Sequence, residues 1–147
     1  MFKLYNIAMI TELTPDQLAA DKAIADWYKN STRQVFVLAG LAGTGKTTLL
    51  RHTVCGTLGL VPDRSAAFVT PTGKAATVLI RQGIPATTLH RLIYQTMTEV
   101  SETIINGKAI KVEKLVFRRR ESIDKGIILI VLDEFSMVSD EVLSDIL

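Results

Sequence analysis

The residues from Gly40 to Thr47, with the sequence GLAGTGKT, have the types and the spacing needed to hold a chain of phosphates. In the pattern G-x-x-x-x-G-K-[ST], glycines let the backbone curl so that successive N–H groups point at phosphate oxygens, and the next helix adds its positive dipole end. Lys46 would reach the β and γ phosphates, and the Thr47 hydroxyl would supply one ligand to Mg²⁺. We therefore predict an ATP site here rather than a chance glycine-rich turn, with these binding residues: Gly43, Thr44, Gly45, Lys46, Thr47 and Thr48.

A second candidate for chemistry is the acidic pair Asp133-Glu134, which follows six successive apolar residues, Ile127 to Leu132. Such a run is too short for a helix and is typical of a strand buried on both faces. Acidic residues at a strand end also occur simply to solvate a loop. In a chain that also has a P-loop, here Gly40 to Thr47, an acidic pair at a strand end predicts a Walker B element. In that element Asp133 would hold Mg²⁺ through water and Glu134 would polarise the attacking water. The predicted catalytic residues are thus Lys46, Asp133 and Glu134, and the predicted metal ligands are Thr47 and Asp133.

The elements that must position these residues alternate between strands and helices. The predicted order is a buried strand over Gln34–Ala39, a helix from Thr47 to about Leu58, a strand over Ala66–Thr70, a helix over Lys74–Ile80, a short helix within Thr87–Ile93, the strand Ile127–Leu132 and a last helix over Glu141–Leu147. This alternation predicts an α/β fold, with a parallel sheet flanked by helices. Because ligands bind at the carboxyl ends of such strands, the loop from Thr70 to Lys74 should open on the same face as the P-loop.

A further helix is predicted to begin after Thr14, which is followed by Pro15 and, three residues after the cap, by Gln17. Ala20, Ile24 and Trp27 then recur at helical spacing and should face the core. Gln17 has two interpretations. It could complete a capping box, or its amide could pair with the adenine edge of ATP, and the local pattern alone favours the cap.

The stretch from Glu99 to Arg118 differs from the rest, because Asn106-Gly107 lies between residues that favour strands. That combination predicts an antiparallel hairpin inserted in the α/β domain. The basic cluster Arg118 to Arg120 follows it. These arginines could contact phosphates, or they could be a solvated charge run beside Glu121 and Asp124.

Length and composition set broader limits. The chain has 147 residues, a single cysteine and a formal net charge of +2, so we expect one domain, with any surface for nucleic acid confined to a local patch. Cys55 falls on the helix after the P-loop and is expected to be a buried, unreactive thiol in a reducing cytoplasm. The sequence contains no signal-peptide pattern and no apolar run long enough to span a bilayer, so we expect no membrane partner and a soluble, cytoplasmic protein, in the host cytoplasm if the source is viral.

Five segments in order resemble the superfamily 1 DNA helicases of the RecD/Dda type: Gln17 in LTPDQ, AGLAGTGKTT from Ala39, TPTGKAA from Thr70, TLHRLI from Thr88 and LDEFSMVS from Leu132. The resemblance covers the chain from Leu13 onward. It implies that residues 1–147 form the N-terminal RecA-like lobe of a helicase, a P-loop NTPase unit whose hairpin insert at about 99–118 corresponds to the pin that splits the duplex. The predicted tip, Asn106-Gly107, departs from that pattern since it has no aromatic to stack on a base pair, and Phe135 stands where a small residue is more usual.

The resemblance also implies roles for individual residues. Gln17 would contact adenine, which reverses the preference drawn from the local pattern. Single-stranded DNA would be held along its backbone, without reading of sequence, by Pro71, Thr72, Lys74, Thr88 and His90. The cofactors implied are ATP and Mg²⁺, and the direction of movement implied is 5′ to 3′.

Helicases of this type have a second RecA-like lobe with an arginine finger, and no such lobe follows Leu147 in the sequence. We therefore expect nucleotide binding with very weak hydrolysis by this chain, and replication or repair proteins as further partners. Two alternatives stay open: a P-loop small-molecule kinase, for which the chain supplies no clear lid, and a non-catalytic fragment that binds nucleotide or DNA.

Overall fold

The computed structural model describes residues 12–105 and 108–147. The predicted turn Asn106-Gly107 and the N-terminal segment before Glu12 lie outside the described residues. The elements, in chain order, are α1 (Pro15–Asn30), α2 (Lys46–His52), a π-helical turn (Thr53–Thr57), β1 (Ala66–Thr70), α3 (Gly73–Arg81), β2 (Ala86–Thr88), α4 (Leu89–Ile93), β3 (Tyr94–Ile105), β4 (Lys108–Arg119), β5 (Leu129–Leu132), a 3₁₀ turn (Phe135–Met137) and α5 (Asp140–Ser144).

Helix α1 begins as predicted. The Thr14 hydroxyl accepts from the Gln17 N–H at 3.3 Å, and the Thr14 N–H donates to Gln17 Oε1 at 3.1 Å, which completes a capping box. This pairing satisfies two backbone groups that a helix start would otherwise leave unpaired. Of the three residues expected to face the core, Ile24 is buried, whereas Ala20 and Trp27 are half-buried.

The parallel sheet has the strand order β2-β1-β5. Its central strand, β1, is buried at all five positions, since it has a neighbour on each side and an apolar cluster on each face. One cluster is built on Phe68, Val54 and Leu79, and the other on Val69, Leu89 and Ile93. Helix α3 connects β1 to the parallel strand β2, as in a βαβ unit. The predicted α/β class, with a parallel sheet flanked by helices, is confirmed.

The predicted strand over Gln34–Ala39 is wrong. Gln34 is a bend, residues 35–39 have no regular secondary structure and join no sheet in the described part of the chain, and Val37 is 70% exposed. Phe36 and Leu38 are half-buried while their neighbours are exposed, and the Phe36 ring packs on Trp27 with centroids 5.7 Å apart. An apolar run favours extended backbone, but a strand also needs a hydrogen-bonded neighbour, and among the described residues β5 pairs along only one edge, with β1.

The same open edge explains a second difference. The run Ile127–Leu132 was expected to be buried on both faces, whereas the strand covers only Leu129–Leu132 and, of these, Val131 alone is fully buried. Ile128, just before the strand, is exposed. A strand paired on one edge leaves more of its side chains in contact with solvent than a central strand does.

Three helix boundaries also differ from expectation. The helix after the P-loop is α-helical only to His52 and continues to Thr57 as a π turn, with Leu58 as its C-cap. The short helix near residue 90 begins at Leu89, because Thr87 and Thr88 belong to β2. The last helix ends at Ser144, not Leu147.

The hairpin is confirmed and is longer than the predicted 99–118 segment. Strands β3 and β4 pair in one antiparallel ladder of twelve residues each, from Tyr94 opposite Arg119 to Ile105 opposite Lys108. Arg118 forms an ion pair with Glu99 across the ladder at 3.0 Å. In the described part of the chain, no helix is long and apolar enough to cross a membrane.

Candidate functional site

The P-loop is built on two glycines with left-handed backbone. Gly43 has φ +78° and Gly45 has φ +79°, in a region of backbone conformation that residues with a Cβ rarely adopt. Gly45 is also the N-cap of α2, so the curl of the loop leads directly into the helix. A Cβ added at Gly45 would lie 3.1 Å from Gln17 Nε2. The absence of a side chain at Gly45 therefore also lets the Gln17 amide approach the loop closely.

Lys46 folds back over the loop from the first position of α2. Its Nζ donates to the carbonyls of Gly40 and Leu41, each at 2.8 Å, and the Thr44 hydroxyl donates to the same Leu41 carbonyl at 2.9 Å. The ammonium is thereby held at the mouth of the P-loop, where phosphate oxygens could replace the carbonyl oxygens as acceptors.

The P-loop meets the acidic pair through one hydrogen bond. Thr47 Oγ1 donates to Asp133 Oδ2 at 2.8 Å, although the two residues are 86 positions apart in sequence. Backbone pairing fixes Asp133 there, because its N–H donates to the Val69 carbonyl at 3.0 Å. The two predicted metal ligands are thus adjacent, as hydroxyl and carboxylate oxygens must be to share one hydrated Mg²⁺. The described residues contain no cluster of three or more His, Cys, Asp or Glu side chains fit to hold a metal, so the bound nucleotide and water would have to supply the other ligands at this site.

Glu134 has an unusual conformation. Its φ is +58°, in the left-handed region, and its N–H donates to Asp133 Oδ1 at 3.0 Å. The side chain is exposed, directly before the 3₁₀ turn Phe135–Met137. A non-glycine residue in this region stores strain, which is most often found at functional sites.

Gln17 is shared between the cap and the P-loop. While its Oε1 accepts from Thr14, its Nε2 donates to the Thr44 carbonyl at 3.3 Å. The contact places the amide beside the nucleotide loop. One amide hydrogen and one lone pair of Oε1 remain for a further partner, because an amide has two donors and two acceptor sites. Thr48, the other predicted binding residue outside the loop proper, is exposed in the first turn of α2.

The predicted DNA-contacting residues lie at or just after the ends of β1 and β2, at the same edge of the sheet as Asp133. Thr70 is paired with Thr88 in register, and Val69 is paired with Leu132, so the three strands end side by side. Thr72 and Thr88 are helix N-caps: their hydroxyls accept from Ala75 N–H and Arg91 N–H, each at 3.3 Å. Pro71 is half-buried, whereas Lys74 and His90 are exposed.

The base of the hairpin carries a cluster that the sequence did not indicate. The Tyr94 hydroxyl donates a short hydrogen bond to Asp145, near the end of the chain, and Arg119 pairs with the same carboxylate at 3.4 Å. The bond from Tyr94, reinforced by Arg119, lowers the pKa of Asp145, and the same bond raises the pKa of Tyr94. The His90 ring packs on Tyr94 with centroids 5.3 Å apart. No spacing rule links positions this distant in sequence.

A contact between the buried Asp21 and the exposed Thr57 was also missed. Asp21 is only 8% exposed, and both of its oxygens accept from Thr57 Oγ1, at 2.9 and 3.0 Å. The signal was present, because Asp21 lies three positions before Ile24, which was expected to face the core, and so on the same face of the helix. Cys55 is half-buried, and burial raises its thiol pKa, which fits the expectation of an unreactive thiol.

Comparison with known proteins gives a family and one distant relative. A family model described as an AAA domain matches residues 12–147. An uncharacterized protein of Methanocaldococcus jannaschii, MJ1519, is 30% identical over 130 residues, which make up 86% of this chain and 10% of that protein. The chain therefore spans about a tenth of the length of this relative. No solved structure is significantly similar to the present chain.

Proposed function

Because the chain belongs to the AAA-domain family of P-loop NTPases, we propose that it is the nucleotide-binding lobe of an ATP-dependent DNA helicase of the RecD/Dda type, moving 5′ to 3′ on single-stranded DNA. The observation that carries the proposal is the shared edge of the sheet. Asp133 directly follows β5, the Thr70–Lys74 segment begins at the last residue of β1, and the Thr88–His90 segment begins at the last residue of β2. Nucleotide and DNA would thus be bound at neighbouring strand ends.

The proposed division of labour follows from the contacts. Bound Mg²⁺ would supply a positive charge against the β and γ phosphates, held by Thr47 and, through water, by Asp133. Lys46 would bind phosphate oxygens, Glu134 would orient the attacking water, and Gln17 would contact adenine. Movement on DNA would further require the second RecA-like lobe of these helicases, whose arginine finger is worth about 10³ to 10⁵ in rate.

The proposed DNA track uses backbone contacts only. Thr72, Thr88, Lys74 and His90 are of types that contact phosphate and sugar, and Pro71 adds an apolar surface. Contacts that do not read sequence suit a protein that moves along a strand.

The compartment that we propose for the protein is the cytoplasm, because its one cysteine, Cys55, is a half-buried free thiol.

Nucleotide binding measured with and without single-stranded DNA tests the proposal. We expect oligonucleotide binding with strong dependence on salt, and an ATP affinity that changes when the oligonucleotide is present. Thr72→Ala and Lys74→Ala should weaken DNA binding, while Lys29→Ala, at the end of α1, serves as the charge control. ATP binding that is indifferent to DNA, as in a small-molecule kinase, would contradict the helicase assignment.

A further inference from the structure

A groove of about 440 Å³ lies between α4 and the chain that leaves the hairpin. Thr87 and Arg91 line it from the β2–α4 side, and Arg120, Ser122 and Asp124 line it from the other. Thr87 and Arg91 flank the Thr88–His90 segment in sequence. The groove therefore continues from the proposed DNA track toward the base of the hairpin.

The two arginines of the groove differ from their neighbours in pairing. Arg118 is paired with Glu99 and Arg119 with Asp145. Within residues 12–105 and 108–147, neither Arg91 nor Arg120 has a carboxylate within ion-pair distance. Arg120 is nevertheless held in place, because its N–H donates to the Ile93 carbonyl at 2.8 Å and its Nε to the Tyr94 carbonyl at 3.1 Å.

We propose that this groove binds backbone phosphates of single-stranded DNA, an inference that rests on the proposed function. Two guanidinium groups and the hydroxyls of Thr87 and Ser122 are the donors that phosphate oxygens favour. Asp124, whose Oδ1 accepts from the Gly126 N–H at 3.0 Å, adds one negative charge. That charge favours a singly charged diester over the more highly charged end of a nucleotide, since like charges repel.

The test is the salt dependence of oligonucleotide binding in the double variant Arg91→Ala/Arg120→Ala. Each lost phosphate contact should lower the slope of log K against log salt by about 0.7, so we expect a total decrease of about 0.7 to 1.4. The matched control, Arg118→Ala/Arg119→Ala, removes the same charge from arginines already paired with carboxylates, and its slope should change less than half as much. Equal slopes in the wild type and the groove variant, or equal decreases in both variants, would overturn the proposal that the groove binds DNA phosphates. A wild type without salt-dependent binding would instead overturn the proposed function.

A separate observation concerns α1 and the nucleotide base. Helix α1 is joined to the P-loop unit at two points, by Gln17 to Thr44 before α2 and by Asp21 to Thr57 after it. Thr57 reaches Asp21 from the π turn, whose wider backbone bond runs from the Leu58 N–H to the Thr53 carbonyl at 2.8 Å. Gln17 and Asp21 lie four residues apart, and so on one face of α1.

We infer that the Asp21–Thr57 contact positions Gln17 for recognition of adenine. The carboxylate is nearly buried, and the Thr57 hydroxyl is its one hydrogen-bond donor among the described residues. Loss of that donor would leave a buried charge unpaired, so α1 would shift to reach another donor or water. Because the Gln17 amide is carried by the same helix, such a shift would move it relative to the P-loop. Asp21 is thus a positioning residue.

The test compares the affinities of ATP, GTP and inorganic tripolyphosphate. We expect Thr57→Val to reduce the preference for ATP over GTP about three- to tenfold, as one lost hydrogen bond would, with tripolyphosphate affinity unchanged and Thr57→Ser restoring the preference. Should Thr57→Val fail to fold, Asp21→Leu/Thr57→Val takes its place: it leaves no buried charge unpaired but still removes the contact that joins α1 to the π turn, so the preference for ATP should fall there as well. Wild-type preference in the valine variant, with a reduced preference in Gln17→Ala, would overturn the inference. An unchanged preference in Gln17→Ala would overturn the adenine role itself.

Discussion

At the scale of single residues, the candidate nucleotide site depends on two features that were predicted from different kinds of sequence signal. The left-handed Gly43 and Gly45 follow from the motif, because its spacing demands a curl that glycine adopts readily. The meeting of Thr47 with Asp133 at 2.8 Å follows only from the rule that parallel strands present their carboxyl ends together. The αL backbone of Glu134 has no sequence signal, since it depends on how the chain leaves β5.

Lys46→Ala is expected to weaken ATP binding about 10- to 100-fold, because it removes a charge-assisted hydrogen bond worth roughly 1.5–3 kcal/mol. Titration calorimetry measures the change. Lys22→Ala, on the exposed side of α1, is the matched control and should bind ATP like the wild type. An unchanged affinity in Lys46→Ala would show that the loop does not hold the triphosphate.

Glu134→Gly is expected to stabilise the fold while removing the proposed catalytic carboxylate. Glycine accepts a φ of +58° without strain, which is worth about 1 kcal/mol and so raises the melting temperature by roughly 2–4 °C. Glu134→Gln keeps the strain and should melt like the wild type. If the glycine variant melts no higher than the glutamine variant, the strain at this position is negligible.

At the scale of elements, the sequence predicted those whose signals are local. The capping box at Thr14 and Gln17 and the hairpin around residues 106–107 were predictable because their determinants lie within a few residues. The segment Gln34–Ala39 was assigned incorrectly, since its apolar pattern specifies extended backbone but not a partner strand. The π turn at Thr53–Thr57 and the link from Tyr94 to Asp145 depend on tertiary packing and could not be foreseen.

The link from the hairpin base to Asp145 should make stability depend on pH in the acid range. The folded state lowers the Asp145 pKa below its ordinary value of 3.8, so the stabilisation is present above that value and is lost as pH falls through the lower, folded pKa. Denaturant unfolding between about pH 5 and pH 2 should therefore show a shallower loss of stability in Asp145→Asn than in the wild type.

Tyr94→Phe is the companion variant for that measurement, because it removes the hydrogen bond that contributes most to the lowered pKa of Asp145. It should also show the shallower acid limb, while Arg119 keeps part of the effect. An acid limb identical in the wild type and in Asp145→Asn would mean that the link adds nothing to stability.

At the scale of the whole molecule, net charge and exposed apolar surface bear on which other molecules the chain can bind. A net charge of +2 on 147 residues gives little long-range attraction to DNA, so the proposed DNA affinity would have to come from local groups such as Arg91 and Arg120. Val35 and Val37, in the Gln34–Ala39 segment, and Ile128, just before β5, are exposed apolar side chains. The outer edge of β5 is unpaired within the described part of the chain. Such surfaces promote association with other chains.

Val37→Lys is expected to reduce self-association without lowering stability, because the side chain is 70% exposed and a charge there opposes edge-to-edge contact. Sedimentation velocity over a range of protein concentrations measures the association, and thermal melting checks the fold. Lys125→Ala, which changes an exposed charge in the loop before β5, is the control. Equal self-association in Val37→Lys and the wild type would show that the surface around Val37 does not drive the association.

The central claim is that Thr47 and Asp133 share one magnesium ion with a nucleotide held by the P-loop. The most direct test is the ATP affinity with Mg²⁺ and with EDTA, in the wild type, Thr47→Val, Asp133→Asn and the double variant. We expect Mg²⁺ to strengthen binding in the wild type, each single variant to lose most of that gain, and the double variant to lose little more, because both residues serve one ion. A full Mg²⁺ effect in Asp133→Asn, or none in the wild type, would contradict the shared site.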